Sequence, residues 1–305
     1  MNKNLFSIHW ELRTLLYLGV LLLSAGLGTW VYQHLDSIDH LAIVGALCLI
    51  SAGGFFWCAR VQAPFTLARV PSAGPFTDYI LLLACLTFVT LVGYLQFQYT
   101  LFGPSLRLAG LIPLVVLAFS AYYFDHLGVL SLAVTNLAAW LGIVVTPANI
   151  LTSDAWATPR LIYIGLLLGL FLLVAGQLTV YRRWKEHFAF TYAHFGIHIW
   201  CIACLSGMFH DWDQPWWAAL LALLLGSAWV LYYQALRYRS FYFLVITGVY
   251  VYIGISSAVI RFVEWVRPSG DSGFAMLMLY FFASALGLAF LVVRQNKKWR
   301  QHDRV

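Results

Sequence analysis

The sequence predicts an all-α integral membrane protein, a helical bundle of about ten transmembrane helices with both termini in the cytoplasm. Three observations carry that expectation. The 305 residues are 62% hydrophobic and 10% charged, with a mean hydropathy of +0.81, whereas about a quarter of the residues of a soluble domain are charged. So much apolar surface must face lipid. Residues 14–293 break into apolar stretches, each near the roughly 20 residues that cross the ~30 Å hydrocarbon layer as a helix. Lysines and arginines gather in alternate gaps, as they do when short cytoplasmic loops retain positive charge. No gap is long enough for a soluble domain, so residues 1–305 read as a single polytopic transmembrane domain.

The expected spans are 14–34, 40–59, 78–98, 106–123, 126–145, 160–181, 188–209, 216–235, 241–262 and 273–293. The first two carry small residues that permit close helix approach, namely Ser24, Gly26 and Gly28, then Gly45, Ser51, Gly53 and Gly54. The third opens on Asp78, a carboxylate that complements a helix N-terminus, and contains Thr87 and Thr90. Asp125 and His126 mark the tight turn between the fourth and fifth, and Asn136 falls in the middle of the fifth. Gln177 lies in the sixth. The seventh, FAFTYAHFGIHIWCIACLSGMFH, is the most polar, and the eighth starts after Pro215 with Trp216 and Trp217. The ninth holds Tyr250, Tyr252, Ser256 and Ser257, and the tenth runs into a basic C-terminal segment.

With ten spans, 14 of the 18 basic residues fall on one side, which assigns that side to the cytoplasm of a bacterial inner membrane. Five acids leave the inner face at +9, and seven acids against Arg107, Arg160, Arg261 and Arg267 leave the outer face at −3. The overall charge of +6 is thereby explained by insertion and calls for no nucleic acid. Met1 to Arg13 carries Lys3, Glu11 and Arg13, so the first span is expected to serve as its own insertion signal, not as a cleaved leader. Cys48, Cys58, Cys85, Cys201 and Cys204 all fall in or at the ends of apolar runs, where no structural disulfide is expected.

Ionisable groups deep in a membrane are costly and mark candidate sites. His194 and His198 are one helical turn apart on one face, with Thr191 and Cys201 close in phase. With Asn136, Gln177 and Tyr250 they are the candidates for a substrate or proton path. Two neutral histidines bonded to neighbouring helices would account for the same residues. No metal or other cofactor is expected beyond bound lipid. A metal held by His194, His198 and Cys201, or a haem at the seventh span, is an alternative that lacks the third and fourth converging ligands a metal needs. Cys201 and Cys204 read as small apolar residues despite their C-x-x-C spacing. At the outer ends, His210, Asp211, Asp213, Arg261 and Glu264 are candidates for a periplasmic mouth, with Arg261 and Glu264 spaced to pair along one helix. No paired catalytic carboxylates, nucleophile motif or phosphate loop occurs, so nothing indicates an enzyme.

The stretches GYLQFQYTLFG at 93–103 and FDHLGVLSLAVTNLAAWLG at 124–142, and the entry segment LLYLGVLLLSAGLGTWVYQHLDSIDHLAIVG at 15–45, resemble the family of predicted bacterial membrane proteins catalogued as domain of unknown function 2157. The resemblance implies a bacterial origin and a polytopic helical fold, and transfers no catalytic residue. Two functions are expected from the residues. One is a transporter or channel-like protein for a small or amphipathic solute, coupled to protons through the histidines. The other is a non-catalytic scaffold or accessory subunit that packs against itself as a homo-oligomer or against a membrane partner protein. The two differ in whether the polar residues converge on a path or are each sealed by a local bond.

Overall fold

A computed structural model describes residues 15, 18–19, 21–23, 25–26, 29, 40–70, 74–103, 106–142, 159–237, 241–266 and 272–302. Among the described residues every regular element is a helix and none is a strand. In chain order these are α1 (His40–Val61), α2 (Pro75–Tyr99), α3 (Leu106–Tyr123), α4 (Leu127–Trp140), α5 (Pro159–Arg182), α6 (Phe188–His210), α7 (Trp216–Arg237), α8 (Phe241–Val266) and α9 (Ser272–His302). The expected span 14–34 lies for the most part outside the described residues, as do residues 143–145 of the fifth. Among the described residues five helices, α1, α2, α5, α6 and α8, are long and apolar enough to cross a membrane, and shorter apolar stretches of 10–17 residues lie in α3, α4, α7 and α9.

Helix ends follow local chemistry. α2 starts with Pro75, whose missing N–H costs nothing in a first turn, and so begins three residues before the expected Asp78. It stops at Thr100, which takes φ 46° and returns its N–H to the Gln96 carbonyl. Gln96 completes that stop: its Nε2 donates to the Gly103 carbonyl at 2.8 Å and its Oε1 accepts from the Phe102 N–H at 3.0 Å. α4 is capped by His126, whose Nδ1 accepts the Val129 N–H at 3.1 Å. It has only 14 residues, against the twenty expected, although the apolar run continues. Gly142 at φ 92° donates back to the Ala139 carbonyl, and a glycine in this left-handed conformation ends a helix whatever the hydropathy beyond it.

The chain divides into two compact units. The first comprises residues 1–144 and 174–193, the second residues 145–173 and 194–305, so α5 and α6 each contribute to both. Cys58, Leu81, Cys85, Leu117, Leu130 and Phe188 are among the core of the first. There α1 and α2 touch so closely that a Cβ on Gly54 would stand 2.7 Å from the Ala84 Cβ, and Ser51 Oγ donates to the Ala84 carbonyl at 3.2 Å. The core of the second includes Ile197, Trp200, Cys204, Met208, Trp217 and Leu224. In it α5 crosses α6 at Gly169, where a Cβ would meet the Trp200 backbone N at 2.7 Å. Leu49, Phe119, Leu167, Trp229 and Leu279 are all largely exposed, as suits helices whose outer faces rest in lipid.

Candidate functional site

The second unit places four titratable side chains in one line. On α6, His194 and His198 are separated by one turn, and their rings lie 4.9 Å apart, centroid to centroid. On α8, Tyr242 and Tyr250 are eight residues apart and point to the same side, about 80° from each other at 100° per residue. Tyr250 Oη is 2.7 Å from His198 Nδ1, His198 Nε2 is 2.9 Å from Tyr242 Oη, and Tyr242 Oη is 2.7 Å from His194 Nδ1. The order Tyr250, His198, Tyr242, His194 is therefore an unbroken chain of hydrogen bonds.

A neutral imidazole has one N–H and one lone pair, and a phenol both donates and accepts, so every link can point the same way. In one polarity Tyr250 donates to His198, His198 to Tyr242, and Tyr242 to His194. When each of these three protons moves across its own bond, Tyr250 is left needing a proton and His194 holds one to spare. Uptake at Tyr250 and release from the other nitrogen of His194 carry one proton along the chain and reverse its polarity.

No family model, no curated protein and no solved structure matches this chain.

Three of the residues expected to line a path, His194, His198 and Tyr250, are thus brought together; Asn136 and Gln177 belong to the first unit and take no part in these bonds. Asn136 Oδ1 is buried without a hydrogen-bond partner, and Gln177 is exposed on α5. Cys201 and Cys204 are free thiols buried in the apolar core. The set His194, His198 and Cys201 is not assembled for a metal: both His198 nitrogens meet tyrosine hydroxyls. Among the described residues no three His, Cys, Asp or Glu side chains are placed to hold an ion.

At the far end of this unit, Arg261 and Glu264 both turn to Trp212. Glu264 Oε2 accepts from the Trp212 indole N–H at 3.0 Å, and an Arg261 guanidinium N–H donates to the Trp212 carbonyl. The Arg261 guanidinium also lies 4.8 Å from the centre of the Trp217 ring, a cation–π geometry. The tryptophan, not the helix neighbour, is what the two charges share. His210, Asp211 and Asp213 lie at the end of α6 and in the turn after it, and among the described residues no hydrogen bond or ion pair ties their side chains to this group. Asp154, Arg267 and Asp271, which the proposed topology counts among the outer charges, lie outside the described residues.

The sequence did not reveal Tyr242, the link between the two histidines. Its signal was the spacing of eight to Tyr250, two hydroxyls on one side of a helix facing an H-x-x-x-H. Nor did it reveal the buried ion pair of the first unit. Asp125 Oδ2 accepts from Lys185 Nζ at 3.1 Å and from the Val70 N–H at 2.5 Å, while Oδ1 meets His187 Nε2 at 2.5 Å. The Asp125 and Lys185 side chains are 0% and 1% exposed. Lys185, one of the 14 basic residues assigned to one side, lies in the turn after α5 and is enclosed there. Its Nζ also donates to the Ala68 carbonyl, its N–H to the Leu67 carbonyl, and its ammonium rests over the Phe65 ring. Asp125, Arg183 and Lys185 take φ of 57°, 55° and 50°, a conformation that costs a residue with a Cβ about 1–2 kcal/mol. The cluster clasps three interhelical segments, 62–70, 124–126 and 183–187, at one end of the unit.

Proposed function

We propose that this chain is a ten-span protein of a bacterial inner membrane, with both termini cytoplasmic, that transports a small or amphipathic solute coupled to protons. The observation that carries the reading is the chain of hydrogen bonds from Tyr250 through His198 and Tyr242 to His194. Titratable groups inside apolar helices are retained where they move protons or ions, and four of them in sequence are more than anchoring α8 to α6 requires. The alternate placement of basic residues supports the topology. So does the clasp, because the segments it joins follow α1, α3 and α5 and so alternate along the chain. Bacterial origin rests on the resemblance to the domain of unknown function 2157 family and belongs to the same proposal.

The test uses inverted membrane vesicles acidified by respiration, with a fluorescent amine reporting the pH gradient. Choline, a mixture of amino acids and the amphipathic cation tetraphenylphosphonium are added as probes. At least one is expected to dissipate the gradient through the wild type, and Tyr242→Phe and His198→Ala, expressed to the same level, are expected to abolish that response. An undiminished response in both variants refutes the proton path. One observation favours a second reading, the scaffold or accessory subunit: His198 has both nitrogens satisfied within the protein, as a purely structural histidine would. Failure of every probe in the wild type, with the chain recovered in a larger membrane complex, would select it.

A further inference from the structure

The proton path is short against the membrane. Tyr242 and Tyr250 are about 12 Å apart along α8, and His194 and His198 about 6 Å apart along α6, out of a hydrocarbon layer of ~30 Å. Tyr242, the link next to the His194 end, stands in the first turn of α8 and is 37% exposed, so that end of the path is near the surface. Its other end, Tyr250, packs on the core of the second unit.

One turn beyond Tyr250 the space between α6, α7 and α8 is filled with hydrocarbon. A Cβ on Gly254 would lie 2.6 Å from Leu224 Cδ2, 3.5 Å from Leu221 Cδ1 and 3.9 Å from Leu205 Cδ2. Leu224 is 0% exposed, and Cys204 and Met208, which continue α6 at this depth, are also 0% exposed. Of the next hydroxyls on α8, Tyr252 and Ser256 are bonded to Ser284 and Tyr280 of α9, and Ser257 is buried and donates to the carbonyl of Gly254 on its own helix at 2.7 Å. None of the three is bonded to Tyr250.

Taking the proton path of the preceding section as its basis, we propose that Leu205, Leu221 and Leu224, closed on Gly254, form a gate that makes this path a blind half-path. A proton is loaded as far as Tyr250 and goes no further until α7 and α8 part. Gly254 is the residue that lets the gate shut, because its missing side chain is the space the Leu224 methyl occupies. A proton cannot leave Tyr250 through such a plug, since hydrocarbon offers it neither a donor nor an acceptor. The arrangement suits a carrier, which must not leak, and not a channel.

The experiment uses the full chain in proteoliposomes containing a trapped pH dye, under a potassium diffusion potential set by valinomycin, with no solute added. Wild-type vesicles are expected to take up protons no faster than protein-free ones. Leu224→Asn, which brings polar atoms into the plug, is expected to raise the rate about tenfold or more, a tenfold change being ~1.4 kcal/mol of barrier. Adding His198→Phe should return it to the protein-free rate. Leu224→Ala, which opens space without a buried amide, provides the same comparison should the asparagine variant fail to fold. Steady proton uptake through the wild type overturns the gate and leaves the path standing. A folded, proton-tight Leu224→Asn or Leu224→Ala also overturns the gate. A leak that persists with His198→Phe overturns the proton path itself, and the gate on it.

Discussion

Lys185 and Asp125 are the most demanding residues of the structure, because their side chains are almost wholly enclosed. Taking two charges out of water is repaid only when geometry and further hydrogen bonds satisfy both. Here the Val70 N–H and His187 complete the carboxylate, while the Ala68 carbonyl and the Phe65 ring complete the ammonium. Removing one partner strands the other. Lys185→Met is therefore expected to destabilise the protein by about 3–5 kcal/mol, read as a fall in the thermal midpoint of the detergent-solubilised protein. The double variant Asp125→Asn with Lys185→Met should recover part of the loss. Equal midpoints for wild type and Lys185→Met would show that the pair contributes nothing. Tyr242 differs in kind: each of its bonds is worth ~0.6 kcal/mol between membrane helices, so its phenylalanine variant should fold and lose only the path.

At the level of the helix, α8 is a two-sided element. Tyr242 and Tyr250 face α6, while Tyr252 and Ser256 meet Ser284 and Tyr280 of α9 at 3.1 Å each, a reciprocal tyrosine–serine exchange. α5 and α6 use the opposite device, absence of a side chain. Gly169 meets backbone atoms of Trp200, and those cannot move aside as a side-chain tip can. Gly169→Ala is expected to cost about 1–3 kcal/mol as an overpacked contact. Gly93→Ala, at a mid-helix position with nothing within 4 Å, should cost nothing and gain about 0.5–1 kcal/mol from the loss of glycine's backbone freedom. Comparable losses from the two, measured by thermal unfolding in one detergent, would remove close packing as the explanation. In the sequence only the small residues of the first two spans stood out, and the glycines at 165, 169 and 176 were hidden in a leucine-rich run.

For the molecule as a whole, hydropathy made the helices legible, because an apolar run and its interrupting turn are both local properties. The expected ranges 106–123 and 188–209 are matched by Leu106–Tyr123 and Phe188–His210. The end of α4 was not legible, since the φ of Gly142 and not its hydropathy sets it. Three of the four members of the candidate path were legible, His194 and His198 by their spacing within one helix and Tyr250 as a polar group in an apolar span, but adding Tyr242 required knowing which helix lies opposite. The Asp125 cluster was not legible at all, because no local pattern links residues 55 to 62 positions apart. On the proposed topology, a membrane-impermeant thiol reagent applied to intact cells should label Asp213→Cys and spare Thr66→Cys, in a background with the native cysteines replaced by serine or alanine. The reverse pattern, or labelling of both, would invert or break the alternation.

The clasp also constrains how the chain is made. Lys185 follows Asp125 by 60 residues, so at a synthesis rate of 5–20 residues per second the carboxylate emerges about 3–12 s before its cation. During that interval Asp125 has the Val70 N–H but not its cation, and a carboxylate without a counter-charge is costly to bury. On the proposed topology the turn between α3 and α4 is therefore expected to close only after Lys185 has followed α5 out of the ribosome. Completion of the first unit is then tied to a helix that comes after it.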